Sequence, residues 1–136
     1  MTNSTDPMTR RQHLETHATP DRHLEFVATL SGRLQADCAD DAITLHVRYV
    51  ADRLILNSKD FQDYLRHLET LHWNSPEEIS AAVLGDCNDV LVARWIEVVI
   101  DVGRSINRNA TCHSIKVEDR QPGWDNPSLL SRLPQL

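Results

Sequence analysis

A chain of 136 residues, 40% hydrophobic and 25% charged, suits one domain with one modest core. A net charge of −6 with no Lys/Arg cluster excludes a nucleic-acid surface, and no apolar run approaches the ~20 residues of a membrane span. The N-terminus shows no apolar signal core, so a cytoplasmic protein is expected. Cys38, Cys87 and Cys112 are odd in number and widely spaced, which suits reduced thiols better than a disulfide framework.

In chain order, residues 1–22 are polar without sustained periodicity and read as a mobile arm. His13, His17 and His23 fall in or next to it, where solvated histidines are a simpler reading than a metal site. Leu24, Phe26, Ala28 and Leu30 alternate and predict a strand. A second strand has Ile43, Leu45, Val47 and Tyr49 on one face and Thr44, His46 and Arg48 on the other. The two are close enough to pair antiparallel through "ADCADD".

Phe61, Tyr64, Leu65 and Leu68 then form one apolar stripe, predicting a helix over 58–71 with Ser58 as N-cap. A second helix is predicted over 76–92, with Ser75 as N-cap, Pro76 in the first position and Glu78 completing a capping box. Its buried face holds Ile79, Ala82, Val83, Val90 and Leu91, with Cys87 as a small core residue. Arg94–Val102 and Thr111–Val117 read as two further strands around the polar turn "GRSINRNA". Residues 119–136 hold three prolines and read as an irregular tail, from which Trp124 and Leu129 would dock. His46 and His67 are expected to be partly exposed without partners.

The order β-β-α-α-β-β predicts an α+β domain over 23–118, an antiparallel sheet with two helices on one face. Its two open edges and thin core point to homo-oligomerisation through strand edges.

Several strings in this order resemble one family, the NADPH-dependent 7-cyano-7-deazaguanine reductases of queuosine biosynthesis, which have the tunnelling fold (T-fold). "LETH" is similar to the family's entry, "ITLHVRYVADRLILNSKDFQDYL" to its second strand and Glu-Ser-Lys-Ser signature, and "ARWIEV" to its Pro-Arg-Tyr-Ile-Glu-Val strand. The resemblance implies a T-fold subunit of an oligomeric barrel, NADPH as cofactor and a purine-like nitrile as substrate. It further implies a cysteine thiolate that attacks the nitrile carbon and an aspartate that handles the proton, here Cys38 and Asp41. Asn57, Ser58 and Glu77 fall at its substrate-binding positions, and Glu77 would pair two oxygens with an amidine-like edge. Lys59, Arg104 and Arg108 are the cofactor candidates.

The sequence departs from the family at four places. Only Ala39 and Asp40 separate Cys38 from Asp41, a shorter turn than the family's. Asn57 replaces a glutamate and Pro76 a histidine, and "GRSINRNATCH" stands where the family has Arg-Gly-Gly. Asp37, Asp40 and Asp41 are expected to raise the pKa of the Cys38 thiol. A zinc site of Cys38, Cys112 and His113, as in another T-fold family, lacks the first ligand's spacing, so no metal is expected. Two readings result: a nitrile-reductase-like oxidoreductase, or a catalytically altered paralogue that binds a purine- or pterin-like ring or serves as a scaffold subunit.

Overall fold

The computed structural model describes residues 6–103 and 113–136. Four long strands form one antiparallel sheet: β2 (Val27–Leu34), β3 (Ile43–Val50), β5 (Trp95–Val102) and β6 (His113–Arg120), in the order β2-β3-β5-β6. A short ladder pairs β1 (Thr16–Ala18) with β4 (Leu54–Leu56), and the helices are α1 (Pro7–Arg11), α2 (Ser58–Glu69), α3 (Pro76–Leu91) and α4 (Pro127–Arg132). The class is α+β and antiparallel, as the hydrophobic periodicity predicts. Among the described residues no helix is long and apolar enough to cross a membrane.

Strand alternation decides where the core sits. Register places Val47 opposite Val98 and Tyr49 opposite Ile96, so one face presents a continuous apolar surface. Phe61, Tyr64, Leu65 and Leu68 of α2 and Ile79, Val83 and Cys87 of α3 complete that core, all of them buried. Gly32 leaves room for the tip of the Leu65 side chain between α2 and β2, which a Cβ at that position would overlap. The opposite face carries an Arg48–Glu97 ion pair at 2.7 Å, and Arg48 also donates to the Pro134 carbonyl at 2.7 Å.

Four expectations need correction. Asn57, not Ser58, caps α2: its backbone is extended, and its side chain accepts from the Lys59 N–H at 2.9 Å. The reason is that the Asn57 N–H bonds Glu15 O at 3.2 Å as an extension of the β1–β4 ladder, so its backbone is committed before the helix begins.

Residues 6–22, read as a mobile arm, are instead packed on the domain. Asp86 of α3 is fully buried and accepts from Arg10 Nε at 2.7 Å, Arg11 Nε at 3.0 Å and the Tyr64 hydroxyl at 2.7 Å. The tail is not wholly irregular: β6 runs on to Arg120, α4 follows, and Trp124 Nε1 donates to Glu25 at 3.0 Å. His46 and His67 do have partners, since His46 Nδ1 lies 2.7 Å from Ser31 Oγ and His67 stacks on His13 at 4.5 Å.

Helix α3 ends on Val92, which is left-handed at φ 47° and ψ 55° and 59% exposed. A β-branched residue is strained there and its side chain buries little. Val92→Gly is therefore expected to stabilise the protein by about 1 kcal/mol, raising the melting temperature by about 3–4 °C in calorimetry. Asp86→Ala removes the one buried acceptor that Arg10, Arg11 and Tyr64 share and is expected to cost about 3–5 kcal/mol in urea unfolding.

Candidate functional site

The turn between β2 and β3 carries Cys38 and Asp41 and sits at one end of the sheet. Its backbone is held by Gln35, whose N–H donates to Glu69 Oε2 at 2.7 Å and whose amide reaches the Asp40 carbonyl at 3.2 Å. Cys38 is half-buried and packs against the core. At the same end β5 runs out into Gly103, whose N–H bonds the Ala42 carbonyl at 3.0 Å. A Cβ on Gly103 would lie 2.9 Å from that carbonyl and 3.1 Å from the Asp41 Cβ, so glycine permits this close passage.

The first turn of α3 joins the same region. Its N-cap Ser75 accepts from the Glu78 N–H at 3.2 Å, and Pro76 occupies the first position. The Glu78 carboxylate reaches one residue further back than a standard capping box, accepting from the Asn74 N–H at 3.2 Å. That leaves Glu77 exposed and outward, with Oε2 at 3.2 Å from His113 Nε2 at the start of β6. The free N–H bonds of its own helix turn and then His113 hold the Glu77 carboxyl below the usual range.

The Cys38 thiol is pushed up, first by burial, then by the charge of Asp37 and by Glu78 and Glu77. The direction agrees with the sequence expectation, but the carboxylates responsible differ: Asp37 acts with two residues of α3, and Asp40 and Asp41 are not among the causes. Asp41 makes no hydrogen bond among the described residues.

Cys38, Asp41 and Glu77 thus share one end of the sheet. Asn57, Ser58 and Lys59 do not join them within one chain. Glu69 at the far end of α2 touches the Cys38 turn, and the helix has 12 residues, so its start lies roughly 17 Å away along the axis. There Ser58 and Lys59 line an open groove of about 470 Å³ with Leu30, Phe61 and Arg66, while Asn57 Nδ2 lies 3.1 Å from His17 Nε2. Arg104, Arg108 and Cys112 lie outside the described residues. No group of three potential metal ligands occurs among the described residues.

Sequence reasoning missed two contributors. His113 was weighed only as a metal ligand, yet it partners Glu77. His72 was not singled out at all, though its Nδ1 lies 2.7 Å from Asp37 Oδ2. Neither has a local sequence signal, because each contact joins segments more than thirty residues apart.

No family model matches the chain. The chain is similar to the NADPH-dependent 7-cyano-7-deazaguanine reductase of Syntrophus aciditrophicus (strain SB), 30% identical over 106 residues that cover 76% of this chain and 68% of that protein.

The environment of Cys38 predicts a sluggish resting thiol. Its alkylation by iodoacetamide, followed against pH by peptide-resolved mass spectrometry, is expected to show a midpoint above the ~8.5 of a free cysteine. A midpoint at or below that value would contradict the electrostatics of the turn.

Proposed function

The chain belongs, as a distant member, to the NADPH-dependent 7-cyano-7-deazaguanine reductase family, and we propose that it is a nitrile-reductase-like oxidoreductase acting on a 7-deazapurine nitrile. The observation that supports the reading is that Cys38 and Asp41 on the β2–β3 turn and Glu77 at the start of α3 lie at the same end of the sheet, though distant in sequence. Glu77, held ionised, accepts two N–H donors from the amidine-like edge of the ring. Cys38 Sγ then attacks the nitrile carbon. The thiol proton passes by way of Asp41 to the nitrile nitrogen, giving a thioimide with atoms and charge balanced.

Bound NADPH would supply the hydrides that reduce the thioimide to an amine. Of the three cofactor candidates only Lys59 is described, and it stands a helix length from Cys38. The described residues of one chain do not assemble a dinucleotide site beside the thiol, so the chemistry that follows from them ends at the thioimide.

That separation also bears on assembly. Among the described residues strands β2 and β6 each pair on one side only and leave backbone groups open. We propose a T-fold barrel of several copies, in which Asn57 and Ser58 of one copy approach the Cys38 end of another. A monomer in light scattering at tens of micromolar would overturn this.

A second reading has its own support. The raised Cys38 thiol and the short turn fit a paralogue that binds the ring without reducing it. Intact-mass spectrometry after incubation with 7-cyano-7-deazaguanine separates the two, because only the first gives a covalent adduct on Cys38. On either reading Glu77→Gln is expected to weaken ring binding more than about tenfold in calorimetry, since a charge-assisted pair contributes about 1.5–3 kcal/mol. Cys38→Ala is expected to abolish the adduct and leave ring affinity nearly unchanged.

A further inference from the structure

The proposed chemistry gives Asp37 no task, yet its carboxylate is fully engaged. Oδ1 accepts from the Trp73 N–H at 2.9 Å, and Oδ2 faces His72 Nδ1 at 2.7 Å. His72 Nε2 lies 3.1 Å from Asn74 Oδ1, and Asn74 Nδ2 donates to the Glu78 carboxylate at 3.3 Å. Hydrogen bonds therefore run without a break from the residue beside Cys38 to the helix turn that holds Glu77. We propose that Asp37 is a positioning residue for the nucleophile, tying the short Cys38 turn to the loop ahead of α3 and so fixing the thiol relative to Glu77. This rests on the reading of Cys38 as nucleophile given above.

The network also fixes a protonation state. Glu78 can only accept, so the Asn74 amide must turn its NH₂ toward Glu78 and its oxygen toward His72. His72 Nε2 must then donate. Nδ1 faces a carboxylate and must donate as well. Only the imidazolium satisfies both contacts, in keeping with a His72 pKa raised by Asp37, then Asn74, with Glu78 adding to it. The Asp37 carboxyl is correspondingly lowered, first by the Trp73 N–H and then by His72. The turn, whose backbone Gln35 holds, gains through Asp37 a side-chain anchor on the neighbouring loop as well.

Two neutral substitutions separate anchoring from charge. Asp37→Asn keeps an acceptor for the Trp73 N–H, whereas Asp37→Ala does not, and both remove the same charge from beside the thiol. With 7-cyano-7-deazaguanine at saturation, Asp37→Ala is expected to slow adduct formation about tenfold or more. Ring affinity should stay within about threefold, and Asp37→Asn should recover to within about threefold of the parent rate. Adduct formation by Asp37→Ala at the parent rate overturns the proposal.

Without ligand, the His72 ring followed by NMR should titrate above ~6.5 in the parent and fall toward that value in both variants. An unmoved midpoint overturns the proposal too. Should the parent give no adduct, the nitrile reading fails on its own. Iodoacetamide labelling of Cys38 then decides on the anchor: Asp37→Ala is expected to react several-fold faster than Asp37→Asn at equal charge, and equal rates refute it.

Discussion

The carboxylate of Asp86 is the contact on which the arrangement of helices depends. It is fully buried and takes hydrogen bonds from three directions: Arg10 and Arg11 on α1, and Tyr64 on α2. A lone ionised carboxylate there would cost several kcal/mol, so all three donors are required, and all three helices are held by the requirement. The Tyr64 hydroxyl, pushed well up by burial, remains a donor at any working pH. Fixing α1 fixes the chain that follows it. Residues 16–18 then pair with β4, the Glu15 carbonyl takes the Asn57 N–H, and α2 has only one place to start.

From that frame the site follows by geometry. Helix α2 runs from the β1–β4 ladder to the Cys38 turn, where Glu69 caps the Gln35 N–H. The chain reverses through Trp73, whose indole donates to the Leu68 carbonyl at 2.9 Å, and α3 begins beside the same turn. One helical hairpin thus delivers Glu77 to the Cys38 end and keeps Asn57 and Ser58 at the other. A pocket made of all four residues needs either a second chain or a ligand longer than one ring.

The repetitive parts of this fold were legible in the sequence, and the single contacts were not. Alternation on β3 and the stripe at Phe61, Tyr64, Leu65 and Leu68 predict their elements because each buried position repeats the same signal. The cap of α2 was misplaced by one residue because Asn57 and Ser58 are both good caps, and only the distant Glu15 carbonyl chooses between them. The N-terminal arm was misread because its anchor lies 76 residues away. A clue was present: Asp86 falls on the same helical face as Ile79 and Val83, and a carboxylate in an apolar stripe calls for a buried partner. Cys38, Asp41 and Glu77 came from family resemblance, while His113 and His72 emerge only when distant segments meet.

The departures from the family pattern fit together electrostatically. Pro76 removes a histidine next to Glu77, and His113 arrives from β6 at 3.2 Å to face the same carboxylate. Asp37, the neighbour of Cys38 in sequence, raises the thiol pKa, and its own carboxylate faces His72. What remains is a cysteine that burial and three carboxylates hold in its protonated form. Such a thiol resists oxidation, since the thiolate is the reactive species. It also cannot attack unaided, so any nucleophilic role requires a base at the moment of attack. Among the described residues Asp40 and Asp41 are the carboxylates of the turn whose side-chain oxygens make no hydrogen bond, so they, unlike Asp37, are not engaged in holding the structure.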